Sequence, residues 1–439
     1  MTSKQRVVVI GGGMAGARLV QQLGRSADAL GRPRHSVTVI GEERHPPYNR
    51  VLLAEVLAGQ YTPEVIALPA PGPEVRRLAG VRAVRVDRAE RRVVCDDGSV
   101  AEYDALVLAT GSNPVLPPIR GLFDDSPAGG PDDGLPDGVH PFRTLDDCAA
   151  LAAAAGPATR AVVIGGGLLG VSAARALAAR GVSTVLAHQG EHLMERQLDA
   201  GASTLLRTHL TGLGVEVHTE CRVRGLGTGR DERTGRRAVR SVTLADGYAL
   251  GADLVVLACG VRPRTGLAQA AGLTVARGVV VDDELRTDDP RIFAIGDCAE
   301  HRGTVYGLAG PAQEQADALA AVLDAAPLDA AVPETAGAPR TGRRYTGTRA
   351  LTRLTLTGPG PLDLAAFGET EPQPDDDVVH LADATRGAYR KVVVRGDRLV
   401  GGILLGDLDT VGALARTWEG DEPLPSAPLL HLLTNDGGL

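Results

Sequence analysis

Residues 8 to 17 read VVIGGGMAGA and residues 162 to 171 read VVIGGGLLGV. The chain thus carries the GxGxxG spacing twice, at Gly11, Gly13 and Gly16 and again at Gly165, Gly167 and Gly170. Each copy follows an apolar run and opens a helical pattern. In that setting one glycine makes the tight turn, one lets backbone approach a pyrophosphate, and one packs helix against strand. Phosphate charge then rests on a helix N-terminus, beside Met14 and Ala15 in the first copy and Leu168 and Leu169 in the second. A single glycine turn is as often a packing device as a ligand site, but two copies suggest two dinucleotides.

Further residues suit the same chemistry. Glu42 closes the second strand of the first copy and could accept hydrogen bonds from ribose hydroxyls, with Glu43 an alternative one residue on. At the matching place in the second copy stand His188, Gln189 and Gly190, with neither the carboxylate suited to an NADH ribose diol nor a nearby arginine for a 2′-phosphate. Residues 106 to 112 read LVLATGS, a strand followed by a turn of small residues at Ala109, Thr110 and Gly111. Residues 292 to 298 read IFAIGDC, where Asp297 after Gly296 is placed to hold a sugar-alcohol chain by a charge-assisted hydrogen bond, or to serve as a turn or helix-cap residue.

Alternating elements must position these residues. Arg6 to Ile10 reads as a buried strand, Ala15 to Leu23 as a helix and Val37 to Ile40 as a second strand; Ala161 to Ile164, Gly170 to Ala179 and Thr184 to Ala187 repeat the unit, with Gly181 as the helix stop. Such βαβ units imply parallel sheets covered on both faces. Gly121 to Val139 and Ala325 to Arg344 are rich in Gly, Pro and acidic or polar residues and read as loops or crossovers. Tyr345 to Leu356 and Tyr389 to Leu405 alternate polar and apolar residues as antiparallel strands do, and Glu419 to Leu439 reads as a tail or short helix.

Bulk properties exclude other classes. A chain of 439 residues, 44% hydrophobic, is long enough for two or three cores. Its formal net charge of −8, with no separate basic run, argues against nucleic acid or an anionic membrane as partner. Lys4 and Lys391 are the only lysines, so Schiff-base or lysine-base chemistry has little to draw on. Cys95, Cys148, Cys221, Cys259 and Cys298 are scattered singly, which offers no metal or cluster motif and fits a cytoplasmic protein. No apolar run reaches the roughly 18 residues of a membrane helix.

Taken in order, the two turns, LVLATGS and IFAIGDC resemble the FAD- and NAD(P)-dependent oxidoreductases of the pyridine nucleotide-disulfide reductase superfamily over residues 6 to 325. PPYNRVLLAEVLAG (46 to 59), LMERQLD (193 to 199), GVRPRTGLA (260 to 268) and YGLAGPAQEQA (306 to 316) are similar to the reductase portion of assimilatory nitrite reductase large subunits, with rubredoxin and ferredoxin reductases as relatives. YTGTRALTRL and GAYRKVVVRGDRLVGGILLGD fit the same subgroup. The resemblance implies an α/β fold with two Rossmann-like domains, glutathione-reductase-like, and a C-terminal α+β domain. It places an FAD-binding domain at 1–120 and 254–325, an NAD(P)H-binding domain at 140–253 and the C-terminal domain at 345–439.

It also implies roles. The first turn, Glu42 or Glu43, Arg50, Ala83, Ala109, Thr110, Gly111, Gly296 and Asp297 become FAD contacts, with Pro311 to Gln315, including Glu314, at the flavin pyrimidine edge. The second turn, His188 and Gly260 become contacts of NADH, with NADPH left open. The expected activity is hydride transfer from NAD(P)H to FAD and electron delivery to a separate acceptor: a rubredoxin, a ferredoxin or a nitrite or nitrate reductase subunit. An NAD(P)H oxidase or quinone or nitro reductase, and a non-enzymatic flavin sensor, are the alternatives. A homodimer is left open.

Two departures matter. Disulfide reductases carry CxxxxC beside the flavin, whereas residues 48 to 55 read YNRVLLAE without sulfur, so a redox-active disulfide is not expected. The family's second fingerprint usually continues GxxGxE, and in the ferredoxin-reductase branch that glutamate pairs with a lysine near the flavin. Here the glutamate position is Ser172 and the lysine position is Glu55. The catalytic expectation is that Glu55 stands opposite Ser172 and supplies the missing carboxylate; the alternative is a solvated Glu55 and a packing change at Ser172.

Overall fold

A computed structural model describes residues 4–27, 31–123, 134–232, 234–325, 344–349, 351–356, 361–383, 385–406, 408–424 and 433. The chain divides into two compact units: residues 1–51, 63–113 and 262–350 form the first, and 52–62, 114–261 and 351–439 the second.

In the first unit β1 (Gln5–Ile10) is apolar on both faces, so it must be covered on both sides, and it lies at the centre of a five-stranded parallel sheet. β2 (His35–Gly41) and then Arg76–Ala79 flank it on one side, Ala105–Leu108 and Ile292–Ala294 on the other. The turn Gly11–Gly13 leads into α1 (Met14–Gly24), which packs beside the helix Ala309–Ala325. Val7, Val9, Leu106, Val107 and Phe293 are fully enclosed in its core.

The second unit repeats the plan. β3 (Arg160–Ile164) is followed by α3 (Leu168–Ala179) and β4 (Ser183–Ala187), in a parallel sheet ordered Val215–His218, β4, β3, Leu254–Leu257, Val139–Pro141. The short α2 (Leu53–Leu57) packs on α3, and residues Gly170 to Leu177 of α3 are buried without a break. The C-terminal sheet of the same unit is antiparallel, ordered Leu351–Leu356, Leu362–Gly368, Arg398–Leu405, Ala388–Arg395, Asp377–Asp383, with Trp418 of the helix Val411–Gly420 packed on Phe367 at 5.2 Å between ring centroids.

That sheet is fastened by one of the two lysines. Asp199 caps the helix Ala200–Gly212 by accepting from Ala202 N, and its other oxygen accepts from Lys391 Nζ and the Tyr389 hydroxyl, both at 2.7 Å. Burial works against ionisation of Asp199, but these donors outweigh it and hold the carboxyl below its ordinary value.

The sequence expectations hold for the strands and helices of both βαβ units to within two residues. Tyr345, expected to begin a strand, does not: its backbone N–H donates to Asp283 O and its ring packs on His301 in the first unit. Of the expected tail, Glu419 and Gly420 end a helix and Asp421 to Leu424 do not continue it; most of 425–439 lies outside the described residues, as do 124–133 and 326–343 within the two expected loops.

Candidate nucleotide sites

The first site is built by backbone that tolerates no side chain at two of its glycines. Gly11 has φ +117°, and a β-carbon there would collide with Ala109 O; one on Gly16 would collide with Gly11 O. Gly13 caps α1 in ordinary extended geometry with no side-chain cap, so the first-turn N–H groups keep their capacity for an anion. A β-carbon on Gly13 would lie 3.9 Å from Arg50 Nε, which places a guanidinium beside the turn.

Several of the remaining first-site candidates lie close to the turn or to its neighbours. A β-carbon on Gly296 would approach Ala15 Cβ to 3.1 Å, so the GD motif abuts the start of α1. Ser112 Oγ donates to Asp297 Oδ2 at 2.8 Å and fixes the carboxylate. Gln315 Oε1 accepts from Gly296 N at 2.7 Å, and Glu314 accepts from Thr348 Oγ1 at the same distance. Thr110 Oγ1 donates to Arg264 O, and Gly111 sits beside it with φ +71°. Glu42 accepts from Arg264 Nη2 at 3.0 Å, while Glu43 is held by Arg50 and by the Tyr48 hydroxyl. Ala83 opens an antiparallel strand two residues after Val81, whose N–H donates to Gly41 O. Ser112 and Arg264 were not singled out from sequence, although both lie in motifs quoted there.

The second site repeats the closed backbone. Gly165 has φ +114°, and a β-carbon there would meet Ala258 O; one on Gly170 would meet Gly165 O. Gly167, the cap of α3, has nothing within 4 Å of its β-carbon position, and neither has Gly260, at φ +96°. Leu168 and Leu169 begin α3. His188 packs on the turn: Gly166 N donates to its Nδ1 at 3.0 Å, so in the neutral ring the proton belongs on Nε2.

Glu55 and Ser172 each have a partner in the second unit. Ser172 Oγ donates to Leu168 O at 2.8 Å, one turn back in its own helix. Glu55 is not solvated: its side chain is 4% exposed and pairs at 3.4 Å with Arg175, itself 2% exposed. Burial pushes the Arg175 guanidinium below its ordinary value, and Glu55 opposes that shift. Arg175 lies three residues beyond Ser172, on the same side of α3, which is why a motif read at the glutamate position missed it.

Burial disfavours the thiolate throughout. All five cysteines are free, and burial raises each of them, Cys148 and Cys259 to about 11. Among the described residues, no helix is long and apolar enough to cross a membrane.

Residues 5–316 match the family model described as pyridine nucleotide-disulphide oxidoreductase, and residues 352–417 match the rubredoxin NAD+ reductase C-terminal domain. Among curated proteins, the chain is 34% identical over 408 residues to a nitrite reductase [NAD(P)H] of Bacillus subtilis, covering 92% of this chain and 46% of that one. It is 33% identical to the assimilatory nitrate reductase electron transfer subunit of the same organism, covering 92% of this chain and 48% of that one. It therefore spans about half the length of the curated relatives it matches there. Putidaredoxin reductase of Pseudomonas putida is 30% identical over 346 residues, 76% of this chain and 78% of that one. In fold, the chain is similar to a putidaredoxin reductase solved in covalent complex with putidaredoxin, with TM-score 0.80 and 24% identity over 98% of this chain and 99% of that one.

Proposed function

We propose that this chain, which belongs to the pyridine nucleotide-disulphide oxidoreductase family, is an FAD-dependent NAD(P)H oxidoreductase that delivers electrons to a separate acceptor. The observation that carries the reading is the pair of glycine turns, each closed to side chains by carbonyl contacts and each opening a helix whose capping residue is glycine. A cradle that a β-carbon would fill is one shaped for backbone against pyrophosphate.

In this reading Gly11, Gly13, Gly16 and Arg50 hold the FAD pyrophosphate. Glu42 or Glu43 takes the ribose, Asp297 steadied by Ser112 takes the ribityl chain, and Gln315 and Glu314 stand at the flavin edge. Gly165, Gly167 and Gly170 hold the nicotinamide donor. We assign FAD binding to the first unit, donor binding to the parallel sheet of the second unit within 114–261, and the antiparallel domain to 351–439. FAD, when bound, supplies hydride acceptance and release of electrons one at a time, so the protein contributes position and electrostatics. Glu55 retains a carboxylate, and Arg175 pairs with it one turn from Ser172. The raised thiols support chemistry without a disulfide. The acceptor is assigned to a rubredoxin, a ferredoxin or a nitrite or nitrate reductase subunit, in keeping with the relatives.

Anaerobic titration with NADH and then NADPH, followed by reoxidation with a panel of protein acceptors, tests this. Yellow protein that bleaches with either nucleotide and recovers fastest with an iron-sulfur carrier is expected. Colourless protein, failure to bleach, or equally fast turnover with oxygen alone overturns the reading; sedimentation of the same sample reports whether it is a homodimer.

A further inference from the structure

The two βαβ units can be compared by register, because the same hydrogen bond closes both. Gly11 N donates to Ile40 O and Gly165 N donates to Ala187 O, each at 2.8 Å. Ile10 pairs with Ile40 and Ile164 with Ala187. Counting on from those pairs, Gly41 corresponds to His188, Glu42 to Gln189 and Glu43 to Gly190. The contacts agree: a β-carbon on Gly41 would lie 3.6 Å from Gly12 N, and in the second unit the ring of His188 fills that space and accepts from Gly166 N.

On this register the second unit has no carboxylate at its strand end. Another segment brings one. Met194, in the left-handed region at φ +55°, donates its N–H to Gly166 O at 2.9 Å and so ties the 193–199 segment to the glycine turn. The next residue, Glu195, lays its carboxylate on Gly190, where a side chain at the Glu43-equivalent position would begin. His192 N donates to Glu195 Oε1 at 3.3 Å and holds it there. The backbone of 188–190 is itself pinned, since Cys221 N donates to His188 O and Glu220 N to Gly190 O, both at 2.8 Å. The carboxylates on or beside these segments are Glu191, Asp199 and Glu220, against Arg196 and Arg222, which leaves carboxylates in the majority.

We propose that Glu195 is the residue that selects NADH over NADPH. The inference rests on the reading that the second turn binds the nicotinamide donor. A carboxylate beside the strand end accepts hydrogen bonds from the two adenosine ribose hydroxyls, and it repels the doubly charged 2′-phosphate. Gln189, exposed and neutral at the Glu42-equivalent position, offers an amide to the same ribose without adding charge. Glu195 thus supplies in space the acid that the strand end lacks in sequence.

The test is flavin bleaching in the intact FAD-loaded protein, followed anaerobically against NADH and NADPH. The wild type is expected to favour NADH by at least about tenfold in the second-order rate of bleaching, with the difference in the nucleotide concentration that gives half the limiting rate. Glu195→Asp should keep that ratio. Glu195→Gln should narrow it by about fivefold and Glu195→Arg should bring the two nucleotides level or invert them, while the limiting bleaching rate stays put. Because Glu195 is exposed, an unchanged flavin spectrum in each variant certifies the fold. A wild type that prefers NADPH, or a ratio unmoved in both Gln and Arg variants, overturns the role of Glu195 and leaves the donor site standing. Bleaching by neither nucleotide overturns the donor site and the inference together.

Discussion

Gly13 opens α1 and Gly167 opens α3 with nearly the same backbone, φ −74° and ψ −169° against φ −78° and ψ −175°, yet the two helices are furnished differently. On α1, Arg18 pairs at 2.7 Å with Asp317 of the helix Ala309–Ala325, both side chains more than a third exposed. On α3 the matching residue is Ser172, whose hydroxyl is satisfied inside the helix, and the matching position for Gln21 is Arg175, buried against Glu55. The glycine turns share one backbone geometry. The charges along each helix answer to what covers it: α1 meets water along one side, whereas α3 is enclosed from Gly170 to Leu177 and must bring a partner for every charge.

The sharpest way to break this comparison is at the caps. Both Gly13 and Gly167 sit in backbone conformations open to any residue, so a large side chain there leaves the fold intact and blocks only the ligand. Gly13→Trp should leave the purified protein colourless. Gly167→Trp should keep the flavin spectrum and raise KM for NADH more than about tenfold. Loss of colour in the second variant, or its retention in the first, would exchange or dissolve the two assignments.

Next in size is the buried pair. Arg175→Met removes the cation from beside the buried Glu55 carboxylate and should cost about 3–5 kcal/mol of stability in thermal or denaturant unfolding, while Glu55→Leu with Arg175→Leu should recover most of it. Arg18→Met, the surface counterpart, should cost about 1 kcal/mol or less. Equal costs for the two single changes would mean that burial is not what separates the helices.

Asp297→Ala removes a charge-assisted bond and should lower FAD affinity by about a hundredfold, read as lost colour on dilution, with Ser112→Ala several-fold weaker in effect. The smallest expected effect concerns the thiols. With Cys148 and Cys259 raised to about 11, native protein at neutral pH should react with thiol reagents far more slowly than unfolded protein, and these two should accelerate only as pH climbs toward that value. A thiol fast at neutral pH and coupled to the flavin spectrum would reopen disulfide chemistry.

The same comparison explains how much could be read from the sequence. Both turns, their strands and helices, and the GD motif were legible because each is written in consecutive residues under backbone rules: a glycine where carbonyls approach, an apolar run where a strand is covered twice. Arg175, Ser112 and Glu195 were not, because their meaning depends on residues brought near by the fold. Arg175 and Glu55 lie 120 positions apart, and Ser112 and Asp297 lie 185 apart. Glu195 acts on a glycine whose emptiness is visible only once the turn at Met194 is known. The strand expected from Tyr345 failed for a related reason: alternation persists there, but the tyrosine is claimed by Asp283 and His301 before the sheet begins.

Asp199 has a bearing on how this chain can be cut. It caps one helix of the second unit and, through the same carboxylate, receives Tyr389 and Lys391 from 190 and 192 positions downstream. A fragment ending before the antiparallel sheet would keep the cap but strip a mostly enclosed anion of its cation. The antiparallel sheet, from Leu351 on, is therefore held to the rest of the second unit through this carboxylate. Borrowing either half for a chimera means carrying the aspartate's two debtors along, or replacing Asp199 by an uncharged cap such as Ser or Asn.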